Sequence, residues 1–138
     1  MARMIEMIRL HPDNDFDRVA DLLTRAADYV QLETGRMPDA AYTRETLSDA
    51  PPHIAPDDIY NFGLERPDGS LAGFVGAIRG HYGPSDWYLG LLILDPVERG
   101  QGLGALVLRH VAGLGRTMNA PVLRIAVLDA NPAGRRFW

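Results

Sequence analysis

The chain has no cysteine, and all 14 of its basic side chains are arginine, so lysine is absent as well. Without cysteine there is no disulfide framework, no thiolate nucleophile, no cysteine-ligated zinc and no iron–sulfur centre. Without lysine there is no Walker A loop, whose phosphate contacts need Gly-Lys-Ser/Thr, and no Schiff-base chemistry. No run of 18 apolar residues exists, so no bilayer-spanning helix and no membrane partner are expected. The first ten residues carry Arg3, Glu6 and Arg9 and lack the apolar centre of a signal peptide, which makes the cytoplasm the expected location. His11, His53, His81 and His110 show no metal-ligand spacing, so no metal is expected. Ser48, Ser70 and Ser85 stand in no Gly-x-Ser-x-Gly elbow. An acidic chain without a basic, aromatic surface is also a poor nucleic-acid binder.

What remains is an ordinary globular composition, 46% apolar and 23% charged over 138 residues, enough for one domain with a single core. Its net charge of −4 is unevenly spread. Residues 1–86 hold 15 acids against eight arginines, whereas residues 87–138 hold three acids against six. An acidic half attracts cations and a basic half suits phosphates.

Alternating apolar residues predict a first strand over about residues 4–10. A helix follows, with Asp13 or Asn14 as its cap and Phe16, Val19, Leu22, Leu23, Ala26 and Val30 on one face, ended by Gly35 and Pro38. A short helix is expected over 40–49, then a Pro- and Asp-rich loop over 50–59. The period then becomes two. Strands 60–65 and 71–79 flank the turn Arg66-Pro67-Asp68-Gly69-Ser70, and strand 87–94 is almost wholly apolar, as expected of a central strand covered on both faces. A helix over 103–118, a strand over 122–128 and a helix from Pro132 complete the order β-α-α-β-β-β-α-β-α.

Between strand 87–94 and its helix lies Glu98-Arg99-Gly100-Gln101-Gly102-Leu103-Gly104-Ala105. A strand feeding a glycine-rich turn and a helix N-terminus gathers unpaired backbone N–H groups, and the helix dipole adds about half a positive charge there. Glycine lets the backbone approach phosphate oxygens with no Cβ in the way. Two phosphate ligands compete for this loop. Gly100-x-Gly102-x-x-Ala105, with Asp129 after the next strand, formally matches a dinucleotide fingerprint. That fingerprint normally opens a parallel sheet, whereas this loop follows three antiparallel-looking strands.

The alternative is Arg99-x-x-Gly102-x-Gly104 after Leu-Leu-Ile-Leu-Asp-Pro, which resembles motif A of the GNAT superfamily of acetyl-CoA-dependent N-acyltransferases. Asn131-Pro132-Ala133-Gly134-Arg135-Arg136-Phe137-Trp138, after strand 122–128, is similar to motif B of the same superfamily. The resemblance is specific over residues 60–138 and looser over 1–59. It implies a mixed α+β fold, with 1–59 as the acceptor-side helical part and 60–138 as the acetyl-CoA-binding core. It further implies that Arg99, Gly100, Gln101, Gly102, Leu103 and Gly104 hold the CoA pyrophosphate. By the same likeness Leu92, Ile93 and Leu94 bind the pantetheine arm through their backbone, and Asn131 lies against it or caps the last helix. The activity implied is transfer of acetyl from acetyl-CoA to a primary amine of a small molecule or a protein; the alternative is an acyl-CoA-binding module without turnover.

Such a transfer needs a neutral amine, an oxyanion site and a proton for the departing thiolate. The tyrosine that usually supplies that proton is replaced by Trp138. Tyr88 aligns with a glutamate that serves some relatives as base, and Asp86, His81 and Tyr82 lie in the turn just before it, where an acceptor amine should arrive. Glu33 and Tyr29 are placed to bound an acceptor pocket. The superfamily usually adds two further strands that wall this site; their absence from the 138 residues leaves two expectations open, a truncated sequence or a wall supplied by a partner subunit, as in a homodimer covering strand 122–128.

Overall fold

The computed structural model describes residues 5–48 and 50–125. Its elements are β1 (Glu6–Arg9), α1 (Phe16–Arg25), α2 (Ala27–Thr34), α3 (Ala40–Ser48), β2 (Ile59–Glu65), β3 (Leu71–Arg79), β4 (Asp86–Leu94), α4 (Leu103–Thr117) and β5 (Val122–Ile125). The strands form one sheet in the order β1-β2-β3-β4-β5, antiparallel except for the parallel β4–β5 pair. This is the expected mixed sheet with flanking helices. The expected strand from 122 is described as far as Ile125; residues 126–128, Asn131 and the helix from Pro132 to Trp138 lie outside the described residues.

One predicted helix is two. The helix is interrupted at Ala26, whose ψ of 31° is outside the helical range; the Tyr29 N–H bonds to the Ala26 carbonyl three residues back, and α2 starts at Ala27. Ala26 and Val30 are both fully buried, so the apolar spacing is satisfied on either side of the break and carries no sign of it. The cap also differs. α1 starts after Asp15, whose carboxylate does not cap the helix but accepts from the His11 N–H at 2.7 Å and from Arg18 at 2.6 Å.

The two sheet faces have separate cores. Val107 and Val111 of α4 pack with Phe62, Leu64, Val75, Trp87 and Leu89. Val19, Leu22, Leu23, Val30 and Leu47 of the first three helices pack with Leu71, Phe74 and Ile93. Trp87 anchors α4 to the sheet. Its indole is fully buried, donates to the Val111 carbonyl at 2.7 Å, and lies so close to Gly115 that a Cβ there would stand 2.6 Å from the ring. Trp87→Phe removes that hydrogen bond and part of the ring. We expect it to cost about 2 kcal/mol, read as a lower urea midpoint with an unchanged slope.

β4 departs from the expected double-sided burial. It is interior to the sheet, but Gly90 is exposed and Tyr88, Leu91, Leu92 and Leu94 are only partly covered. The cause is a bulge. Leu91 pairs with Gly76 and Leu89 with Ala77, leaving Gly90 without an opposite residue. The extra residue shifts the alternation, so Trp87 and Leu89 face α4 upstream while Leu91 and Ile93 face the first three helices downstream. Pairing with β5 ends at Leu89↔Ile125 among the described residues.

Candidate active site

A cleft of about 1250 Å³ opens between the β2–β4 face and helices α2 and α3, and runs to the glycine-rich loop before α4. The loop is set by Asp95. Its backbone N–H bonds to the Ala72 carbonyl at 2.9 Å, and its buried carboxylate accepts from Arg25 of α1 and from Arg66 at 3.0 Å. Arg66 also reaches Glu98 at 3.2 Å. Strand end, hairpin turn and first helix thus meet on one carboxylate, which fixes where the loop starts.

Gly100 and Gly102 both lie in the left-handed region, with φ of 74° and 81°, and no atom stands within 4 Å of where a Cβ would be at either. Gly102 is the N-cap of α4 and has no side chain to occupy the first-turn N–H groups. The first N–H with a carbonyl of its own helix start is that of Leu106, which bonds to Gly102 at 3.2 Å. Open space, unpaired donors and the positive end of a 15-residue helix therefore coincide. These residues fit an anionic phosphate ester.

Of the expected cofactor residues, Leu92, Ile93, Leu94, Arg99, Gly100, Gly102, Leu103 and Gly104 all line the cleft. Gln101 does not; its amide folds back to the Val97 carbonyl at 2.8 Å. Asn131 lies outside the described residues. The Arg99 guanidinium turns to α2 and grips Asp28 with two contacts, 2.5 and 3.1 Å. The hydrogen bond from Arg99 holds the Asp28 carboxyl below its ordinary range despite some burial.

Of the expected acid–base residues, Tyr88 and His81 come together on the cleft wall with ring centroids 5.1 Å apart. His53, from the 50–58 loop, stacks on His81 at 5.3 Å and contacts its carbonyl through Nε2 at 3.1 Å, while the Tyr82 ring packs against His81 at 4.3 Å. His81 Nδ1 is buried and has no hydrogen-bond partner among the described residues. Burial, then the nearby Tyr82, pushes the Tyr88 phenol up, so it stays protonated at neutral pH. The structure does not bring Asp86 to them. It is 4% exposed, does not line the cleft, and holds Arg124 of β5 at 3.0 Å.

Across from Tyr88, the wall is formed by Asp28, Tyr29, Leu32 and Glu33 of α2 and by Tyr42, Glu45 and Thr46 of α3, with Asn61 of β2 at its floor. Burial first, and then the Glu33 carboxylate, push the Tyr29 and Tyr42 phenols up. Tyr29 and Glu33 are one helical turn apart, a spacing visible in the sequence. Tyr42, Asn61 and the His53–His81 stack carry no sequence signal, because each depends on the packing of distant segments. No group of His, Asp or Glu suited to a metal ion exists among the described residues, and none of their helices is long and apolar enough to cross a membrane.

Comparison with known proteins agrees with this geometry. Residues 25–138 match the model of the acetyltransferase (GNAT) family. Among solved structures, the ribosomal-protein-alanine N-acetyltransferase of Brucella melitensis biovar Abortus 2308 superposes with a TM-score of 0.73 at 23% identity, over 97% of this chain and 87% of that one. An acetyltransferase of Thermus thermophilus gives 0.77 at 23% identity, over 96% and 82%. An aminoglycoside acetyltransferase from an uncultured soil metagenomic sample, in complex with sisomicin, gives 0.66 at 13% identity, over 96% and 84%. No curated protein matches the sequence.

Proposed function

The chain belongs to the GNAT acetyltransferase family, and we propose that it transfers acetyl from acetyl-CoA to a primary amine of a small molecule or a protein by direct attack. One observation carries this reading: the open phosphate cradle at Gly100–Gly104 and the tyrosine-lined wall belong to one continuous cleft. In it the loop N–H groups hold the pyrophosphate, and the backbone of Leu92–Leu94 holds the pantetheine arm and the thioester oxygen. Such an oxyanion donor contributes roughly 100-fold or more in rate.

The thioester supplies an activated acyl carbon. The amine nitrogen forms the new C–N bond, the C–S bond breaks, and the sulfur leaves with the electron pair. No covalent enzyme intermediate arises, so the lack of cysteine and lysine is no handicap. Tyr88, kept protonated by burial, is suited to donate towards the departing sulfur and not to act as a base. His81, with its buried and unpartnered Nδ1, is assigned the proton lost by nitrogen. Asp86 supports this pair by holding Arg124 of β5, whose guanidinium lies over the Tyr82 ring next to His81.

The test is thermal shift with acetyl-CoA, CoA and NAD, followed by thiol release with polyamines, amino acids, aminoglycosides and peptides with N-terminal alanine. The structural neighbours named for ribosomal-protein alanine and for aminoglycosides motivate the last two. Stabilisation by acetyl-CoA and release of thiol on one of these amines is expected. Stabilisation by NAD but not by CoA would sink the proposal. Binding of acetyl-CoA with no thiol release on any amine would make the chain an acyl-CoA-binding module instead.

A further inference from the structure

The Pro- and Asp-rich loop between α3 and β2 has a built tip. The Ile54 N–H bonds to the Pro51 carbonyl at 3.0 Å and the Asp58 N–H to the Ala55 carbonyl at 2.9 Å, which closes two turns with Pro52 and Pro56 at their second positions. Proline there sets φ in advance and lowers the entropy lost when the loop is ordered. The first turn presents His53, an exposed residue outside the cleft, whereas Ala50 and Pro51 at the start of the loop line the cleft itself.

His53 meets His81. The two rings lie within 15° of parallel with centroids 5.3 Å apart, and His53 Nε2 stands 3.1 Å from the His81 carbonyl oxygen. One side chain thus holds both the ring and the main chain of the other. Tyr82 at 4.3 Å and Tyr88 at 5.1 Å enclose the same imidazole, and Arg124 lies over the Tyr82 ring at 5.0 Å. An unpaired buried nitrogen such as His81 Nδ1 is costly, and these ring contacts offset that cost. We infer that His53 is a positioning residue for the transfer: its stack fixes the His81 imidazole against Tyr88, so that the group taking the nitrogen's proton and the group donating to sulfur stay at a set separation. The task of His81 rests on the acetyl-transfer reading; its placement by His53 does not.

His53 is exposed, so replacing it should leave the fold intact. His53→Ala is expected to lower kcat about tenfold, the scale of a small misplacement of a reacting group. The KM for acetyl-CoA should not change. His53→Phe keeps a ring in the stack and should restore kcat to within about threefold of the wild type. These rates are read with whichever of the polyamines, amino acids, aminoglycosides and alanine peptides releases thiol. In the His81→Asn background, His53→Ala should have no further effect on kcat, because it acts through that ring. Placement is read separately by nuclear Overhauser contacts between the His81 and Tyr88 ring protons in the full chain without acetyl-CoA. They should be present in the wild type and in His53→Phe, and lost in His53→Ala. Contacts that persist in His53→Ala, an equal loss of kcat in both backgrounds, or a His81→Asn variant with unchanged kcat overturns the inference. If the contacts behave as expected but no amine releases thiol, the acetyl-transfer reading falls and the placement of His81 by His53 stands.

Discussion

Asp95→Ala is expected to destabilise the protein by about 3 kcal/mol, the low end of what breaking a buried ion pair costs. The carboxylate is almost fully buried and is shared by Arg25 and Arg66, whose guanidiniums keep 30% and 21% of their side-chain surface in contact with water. Those cations can turn partly to solvent once abandoned, which is why the low end applies. Asp95→Asn keeps the shape and one acceptor, and should lose less. Burial opposes the charge on Asp95, but hydrogen bonds from Arg66 and the Val97 N–H, with the charges of Arg25 and Arg66, outweigh it and hold the carboxyl below its ordinary value. Its stabilisation is therefore complete above the unfolded value of about 3.9 and disappears as pH falls through the lower folded value. Urea melts from neutral pH down to about pH 2.5 should show the gap between the wild type and Asp95→Asn closing at the acid end. A gap that is constant with pH would assign the effect to packing instead of charge. Because the same carboxylate fixes the start of the glycine-rich loop, Asp95→Ala should also raise the KM for acetyl-CoA.

Gly102→Val should raise the KM for acetyl-CoA by roughly 10- to 100-fold, the scale of one or two lost hydrogen bonds to a charged group. Two effects combine. A β-branched residue at φ 81° is strained by roughly 1–3 kcal/mol, and its methyl groups would fill the open space in front of the first turn of α4. Gly69→Val separates them. Gly69 has φ of 87° and equally open surroundings, but it sits in the β2–β3 turn and does not line the cleft. It should lose comparable stability in thermal melts and keep its affinity for acetyl-CoA. If Gly69→Val weakens acetyl-CoA binding as much as Gly102→Val does, the loop is not the phosphate cradle.

Much of this is legible in the residues because it is local. Leu71–Arg79 spans the strand that its alternation predicts, and β4, α4 and the glycine-rich loop fall within a residue of their expected bounds. The loop is readable because left-handed backbone and close approach both demand glycine. Other features depend on segments far apart in the chain. Asp95 meets Arg25 across 70 residues and Arg66 across 29, so its burial has no sequence pattern. Asp86 looks equivalent to His81 in the sequence, being in the same turn, but it is buried at the start of β4, where it pairs with Arg124 of β5, a strand 38 residues away that no local pattern announces. The break at Ala26 is hidden because a small, buried alanine satisfies the same apolar spacing in one helix or in two.

The bulge at Gly90 also bears on how this strand can change over generations. β4 is read in two frames, one ending with Leu89 and the other starting with Leu91. Removing Gly90 would make Leu89 and Leu91 neighbours opposite Ala77 and Gly76, so plain alternation would return and each side chain would keep its face. Trp87 would stay on α4 and Ile93 on the first three helices. What the deletion would remove is the local bend and twist that the extra residue gives the strand at the cleft. Gly90 is thus a residue that shapes β4 without deciding which side chains it buries.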